Sequence, residues 1–329
     1  MFYSLLKIIR KSFKSIGKKE EYFEDLIKYQ EFKNNVKKNI FFPNYNPDER
    51  INKKIKIFAT IPFFYNDKKI DKLIIVCNNI SKISKNSKII ILTNNITKIQ
   101  FYKLKSKFKK NSAPQIVVHD KLLNNRLLPW YHVSFMKNAF KNKSYTHFLY
   151  LEDDICINKK NFLYWYNSRK FLKKFNLIPG FIRTENKKNK LYAIDFVKKN
   201  RKTKLAYISI SNNYHFISHK FPYQGMYLYD RTLMKEHLNS PSSNPDCGHG
   251  AFNLKFLDKR MINLDLMAKA NIGLTYINVP KGFNSRIVIP YDLNKNEIST
   301  MCFIKHLSNK YSKFNNSWFG NYKVDEVIE

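Results

Sequence analysis

Only eight glycines stand in 329 residues, and they form neither GxGxxG nor GxxxxGK[ST]. The dehydrogenase and P-loop readings therefore lack the backbone cradle that phosphates need, and without GxSxG the esterase elbow is missing too. Cysteine is equally scarce. Cys77, Cys156, Cys247 and Cys302 lie far apart with no CxxC pair, which supports neither a zinc cage nor a disulfide framework and fits a reducing compartment. No apolar run reaches the roughly 18 residues of a membrane-spanning helix. Lys7 and Arg10 interrupt the N-terminal apolar stretch, so no signal peptide is expected.

Acids are the scarcest charge. There are 25 Asp+Glu against 60 Lys+Arg, a formal charge of +35. Such a surface attracts nucleic acid, anionic lipid or phosphorylated substrates. The lysines are nevertheless spread along the whole chain, beside abundant Asn, Ile, Phe and Tyr, as AT-rich codon usage would produce. The hydrophobic fraction of 43% and aromatic fraction of 16% demand a folded core.

The N-terminal stretch MFYSLLKIIRKSFKSIGKK, residues 1–19, sets Phe2, Leu5, Leu6, Ile9, Phe13 and Ile16 at helical spacing, with lysines mostly opposite. It reads as a basic amphipathic helix suited to an anionic membrane surface, or as a helix docked on its own domain. Residues 1–50 are expected to form a helical arm and residues 51–329 one catalytic domain. From residue 55, strand patterns (IKIFATIPF, SKIIILTNN, PQIVVHD, HFLYLEDD) alternate with helical ones (KIDKLIIVCNNISKI, QFYKLKSKF, PWYHVSFMKNAFKN). That alternation predicts βαβ units and a mostly parallel sheet flanked by helices. No linker divides residues 51–155 from residues 156–329, so the two halves are expected to share that sheet.

Ligands of such sheets bind beyond the carboxyl ends of the strands. Thr60, Asn94, Asp120 and the acids Glu152, Asp153 and Asp154 all map there, with Arg126 ahead of the Pro129 helix either as a phosphate contact or as a plain surface arginine. Three of the scarce acids repel one another at one strand end, so a cation belongs among them: a lysine such as Lys159 or Lys160, or a metal. In extended backbone Glu152 and Asp154 project to one side and Asp153 to the other. Two hard oxygen ligands so spaced suit Mg²⁺ or Mn²⁺, completed by substrate phosphates.

A strand of the form FLYLEDD after βαβ units resembles the DXD-type motif of GT-A fold glycosyltransferases, here as Glu-Asp-Asp. PWYHVSFMKNAF, YQGMYLYDRTLMKEHL and IKHLSNKY fit the same resemblance, which extends over about residues 55–320. It implies a GT-A-like, Rossmann-like α/β fold and a divalent ion held against a nucleotide-sugar diphosphate, a UDP-sugar being favoured. Asp154 and Glu152 would ligate the metal, His306 would complete its shell, and Asp153 would join Thr60, Asn94, Asp120 and Arg126 on the donor. The N-terminal half would bind the nucleotide. The C-terminal half would bind a glycan or lipid-linked acceptor, at the inner face of the cytoplasmic membrane.

In NPDCGHGAF, Asp246 and His249 sit on a Gly-flanked loop, either as the base that takes the acceptor proton or as turn residues. Arg183 would face acceptor or pair with Glu185. Trp130, Tyr131 and Trp165 fit core packing better than sugar stacking. A nucleic-acid-binding protein is the charge-driven alternative, but acids at the ligand edge repel phosphates, so no specific nucleic acid is expected. A metal-dependent nucleotidyltransferase shares the metal chemistry without the Gly-rich loop.

Overall fold

The computed structural model describes residues 54–109, 113–195, 206–210, 213–218, 222–245, 265–312 and 322–323. The expected arm, with its 1–19 helix, and the Asp246–His249 loop lie outside the described residues.

The chain opens on β-α repeats. Strand β1 (Ile57–Pro62) is buried along its whole length, as a central strand covered on both faces must be. In α1 (Ile70–Ile83) the buried residues Ile70, Leu73, Val76, Cys77, Ile80 and Ile83 recur at the three- and four-residue steps of one helix face. Strand β2 (Lys88–Asn94) follows, then α2 (Lys98–Ser106), which starts on a capping box between Thr97 and Gln100. Strand β3 (Gln115–His119) leads through a 3-10 stretch (Asn125–Tyr131) into α3 (His132–Lys141) and β4 (His147–Leu151). The helix expected to start at Pro129 thus starts three residues later. The Asn124 side chain accepts from the Arg126 N–H and opens a tighter turn that absorbs the proline.

The second half runs β5 (Ile155–Cys156), α4 (Lys159–Leu172), β6 (Ile178–Pro179), β7 (Ile182–Lys187), β8 (Lys190–Ala193), β9 (Tyr207–Ser209) and β10 (Tyr214–Ser218). It continues with β11 (Met226–Asp230), α5 (Arg231–Leu238), α6 (Leu266–Ile272), β12 (Ile287–Asp292), β13 (Glu297–Ile298), β14 (Phe303–His306) and β15 (Tyr322–Lys323).

The fold is mixed α/β around a sheet of order β11-β4-β1-β2-β3. Pairs β1–β2, β2–β3 and β1–β4 are parallel, and β11 lies antiparallel on β4. After β1 the chain adds strands on one side and then returns to place β4 on the other. Ligand crevices in such sheets open at this switch point, between the carboxyl ends of β1 and β4. Among the described residues of the second half, only β11 enters this sheet. The expectation of one shared sheet is corrected here: the remaining strands form two further sheets, β13-β12-β10-β9 with β6, and β15-β8-β7-β14-β5. Most of their pairings are antiparallel, because hairpins rather than helical crossovers join several of these strands.

Trp165 is fully buried, and Trp130 is buried with its indole N–H donated to the Leu266 carbonyl at 2.8 Å. Both therefore serve packing. Among the described residues no helix is long and apolar enough to cross a membrane.

Candidate active site

Strand β4 ends at Leu151, and the Ile155 N–H donates to the Glu152 carbonyl at 3.2 Å. The acids therefore sit on a turn, not on extended backbone. The expected pairing of Glu152 with Asp154 on one side gives way to three carboxylates pointing at three different partners.

Asp154 faces His306, with Oδ2 3.3 Å from Nε2, and it also accepts from the Ser308 hydroxyl. On the other side of the imidazole, Nδ1 lies 2.5 Å from Glu185 Oε1. The Ser312 N–H donates to Glu185 Oε2 at 2.6 Å and fixes that carboxylate in turn. Strand register builds the row. His306 pairs across from Ile155, beside Asp154, and the parallel pairing of β14 with β7 sets Lys305 against Thr184, which brings Glu185 alongside. Burial would raise both carboxyls, but the hydrogen bonds from His306 overrule it, holding Asp154 well below the usual carboxylate range and Glu185 at about 2. Burial likewise opposes charge on His306, and the two carboxylates reverse that and raise its pKa.

Asp153 reaches across the switch-point crevice to Lys69, whose Nζ is 3.5 Å away, on the segment that follows β1. The cation beside this acid is thus Lys69, not Lys159 or Lys160. Burial lifts the Asp153 carboxyl to about 6, Lys69 pulls it back, and Asp154 and Glu152 add to the rise.

Glu152 keeps 29% of its side chain open to solvent and is held from three sides. The Tyr223 hydroxyl and the Asn271 amide donate to Oε1 at 2.7 and 2.6 Å, and Arg183 Nη1 stands 3.5 Å from Oε2. Burial raises its pKa, with Arg183 and Tyr223 opposing. Arg183 is anchored through Nε and Nη2 to Asp195 and lies over the Tyr223 ring. The expected Arg183–Glu185 pair does not form: Arg183 takes Asp195 and Glu152, and Glu185 takes His306.

The other sequence candidates scatter. Thr60 is fully buried within β1, two residues short of the strand end, so it does not line the crevice. Asn94 ends β2 and donates to Asn125 Oδ1 at 2.9 Å. Asp120 and Arg126 are exposed on the segment after β3. Sequence reasoning missed Lys69, Asp195, Tyr223, Asn271 and Ser308, each of which arrives from a distant segment. Glu185 was read only as a partner for Arg183.

Among the described residues no three His, Cys, Asp or Glu side chains gather as a ready metal cage. Asp154 and His306 still form a fitting pair. A carboxylate oxygen and an imidazole nitrogen 3.3 Å apart face one another, and the far ring nitrogen is held by the Glu185 carboxylate, which fixes the ring's orientation as carboxylates do behind metal-binding histidines. Glu152 is committed elsewhere.

No protein family matches the chain, and no curated protein does. Among solved structures it is similar to the galactosyltransferase LgtC with donor and acceptor sugar analogues, at 9% identity over 33% of this chain and 41% of that one, TM-score 0.23. It is also similar to a mannosyltransferase from Pyrobaculum calidifontis in complex with GDP-Man and Mn²⁺, at 11% identity over 51% and 46%, TM-score 0.32. A third is 4-diphosphocytidyl-2C-methyl-D-erythritol synthase from Anaerococcus prevotii, at 14% identity over 57% and 78%, TM-score 0.32. The chain spans less than half the length of the two glycosyltransferases. Overlaps this partial assign no activity to it.

Proposed function

We propose that the protein is a metal-dependent glycosyltransferase that moves a sugar from a nucleotide-sugar, a UDP-sugar being favoured, to a hydroxyl of a glycan or lipid-linked acceptor. One observation carries the reading: Asp154 and His306 stand side by side at the switch point of a parallel sheet, with Glu185 behind the imidazole. Asp154 and His306 would hold Mn²⁺ or Mg²⁺, leaving the rest of the shell to water and phosphate oxygens. A bound ion would neutralise the leaving diphosphate. Lys69, 40% exposed beside Asp153, offers a cation at the mouth of the same crevice. Glu152, steadied by Tyr223, Asn271 and Arg183, presents a fixed acceptor oxygen to a sugar hydroxyl. Asp246 or His249 is the proposed base, and the basic arm the proposed tether to an anionic cytoplasmic membrane face.

A thermal-shift series with UDP-, GDP- and CMP-sugars, with and without Mn²⁺, tests the reading, since a ligand of the folded state raises Tm by mass action. The wild type should respond to one nucleotide class only when metal is present. Asp154→Ala, and the milder Asp154→Asn, should remain folded and lose that response. Folded wild type with no shift for any donor would sink the proposal, as would an undiminished shift in both variants.

A further inference from the structure

We infer that the outer face of α2, together with the loop tip at Leu123, is a docking surface for an anionic lipid bilayer. The three most exposed large apolar side chains among the described residues are Leu123 at 100%, Ile99 at 81% and Tyr102 at 65%. The helix turns its inner side to the protein through Leu104, with Phe101 half-buried beside it. Ile99 and Tyr102 are three residues apart, one above the other on the opposite side. At about 100° per residue, Lys98 and Lys105 flank that strip on one side and Lys103 on the other. All three lysines are exposed, as are Lys107 and Lys109 beyond the helix end.

Leu123 belongs to the same rim. The side chains of Asn94 and Asn95 both donate to Asn125 Oδ1, at 2.9 and 3.4 Å, which ties the 120–126 segment to the one that leads into α2. Lys121 and Arg126, both exposed, bracket the leucine. Two acids are nearby: Asp67, which pairs with Lys103 at 2.9 Å, and exposed Asp120. No other acid lies between Asp71 and Asp120 in the sequence.

Apolar side chains projecting between lysines fit a bilayer interface, where the apolar groups enter the acyl boundary and the ammonium groups meet lipid phosphates. A nucleic acid would use the lysines but leave Ile99 and Leu123 in water. Because the loops after β2 and β3 lie at the carboxyl ends of parallel strands, docking there sets the crevice at Glu152–Asp154 beside the membrane. The surface is independent of residues 1–19 and of the reaction proposed above.

The test is cosedimentation of the full chain with phosphatidylcholine vesicles, with and without phosphatidylglycerol. Wild type should bind the anionic vesicles, less so at high salt. The triple variant Ile99→Ser, Tyr102→Ser, Leu123→Ser, altered only at exposed positions, should partition at least about tenfold more weakly with unchanged Tm. As a second reading, Leu123→Trp should add emission that brominated acyl chains quench. Wild-type binding by the triple variant, or an added tryptophan that the brominated lipid leaves unquenched, overturns the inference. So would equal binding of oligonucleotides by wild type and variant together with no vesicle binding.

Discussion

Gly225 carries a φ of +62°, and a Cβ built there would stand 2.9 Å from Glu152 Oε2 and 3.2 Å from Arg183 Nη1. Left-handed backbone is cheap only for glycine, and a side chain here would also push Glu152 off Tyr223 and Asn271. Gly225→Ala should therefore cost about 1–3 kcal/mol in urea unfolding, above the usual surface substitution. A midpoint indistinguishable from wild type would show that this turn does not set the Glu152 carboxylate. The second residue to probe is Glu185. It touches no solvent and reaches the crevice only through the His306 ring, so its role is to position. Glu185→Gln keeps the shape and removes the charge. It should weaken Mn²⁺ binding about 10–100-fold while the nucleotide preference stays as in wild type. Titration calorimetry reads the first and competition between donors the second. Unaltered Mn²⁺ affinity would mean that His306 is not a ligand.

Asp195 reaches Arg183 because β7 and β8 fold back on each other through Lys188 and Asn189, at φ of 49° and 60°. Two central residues in left-handed conformation define the turn that prefers Asn-Gly, and a lysine at the first position is a poor fit. Lys188→Asn with Asn189→Gly should raise stability by about 0.5–1 kcal/mol without touching the crevice. A lowered Tm would place the turn at other residues. At this scale the sequence was partly legible. The βαβ half was readable because its apolar periods and caps are local and its helices join neighbouring strands. Asp154 and the candidacy of His306 were also visible, the latter through resemblance. The turn at Glu152–Ile155 was not, since it follows directly on a strand pattern. The His306–Glu185 contact joins residues 121 positions apart through the register of two short strands, and no local period encodes such a pairing.

Across the described residues, three imidazoles besides that of His306 are sealed in the interior. Burial lowers His132 to about 4, partly offset by the Pro129 carbonyl, and His147 to about 4, partly offset by Asp230. Burial lowers His237 to about 3, with His132 adding to the drop. In the unfolded chain each would titrate near about 6.5. Above that pH both states are neutral and these groups make no difference. Below it the unfolded chain takes up protons that the native interior refuses, so stability is lost as pH falls from about 6.5 toward about 4. Asp153 acts in the opposite sense. Its native pKa of about 6 lies above the unfolded value, so the folded state binds a proton first and gains stability over the same range. Glu152, which burial also raises, gains in the same sense as Asp153, and His119, which burial lowers, joins the losses, so the refused histidine protons set the direction and stability falls between about pH 6 and 4.5. With a formal charge of +35, the loss of carboxylates below that range adds self-repulsion in the same direction. Chemical denaturation at fixed ionic strength should therefore show stability falling steeply through this interval, before the depressed carboxyls of Asp154 and Glu185 titrate. His237→Phe removes one of the refused protons and should flatten the slope by about one third to one half, even where its absolute stability differs. An equal slope in that variant, or a flat wild-type profile, would require water to reach these histidines, and would open the interior between α3, α5 and β4 to solvent.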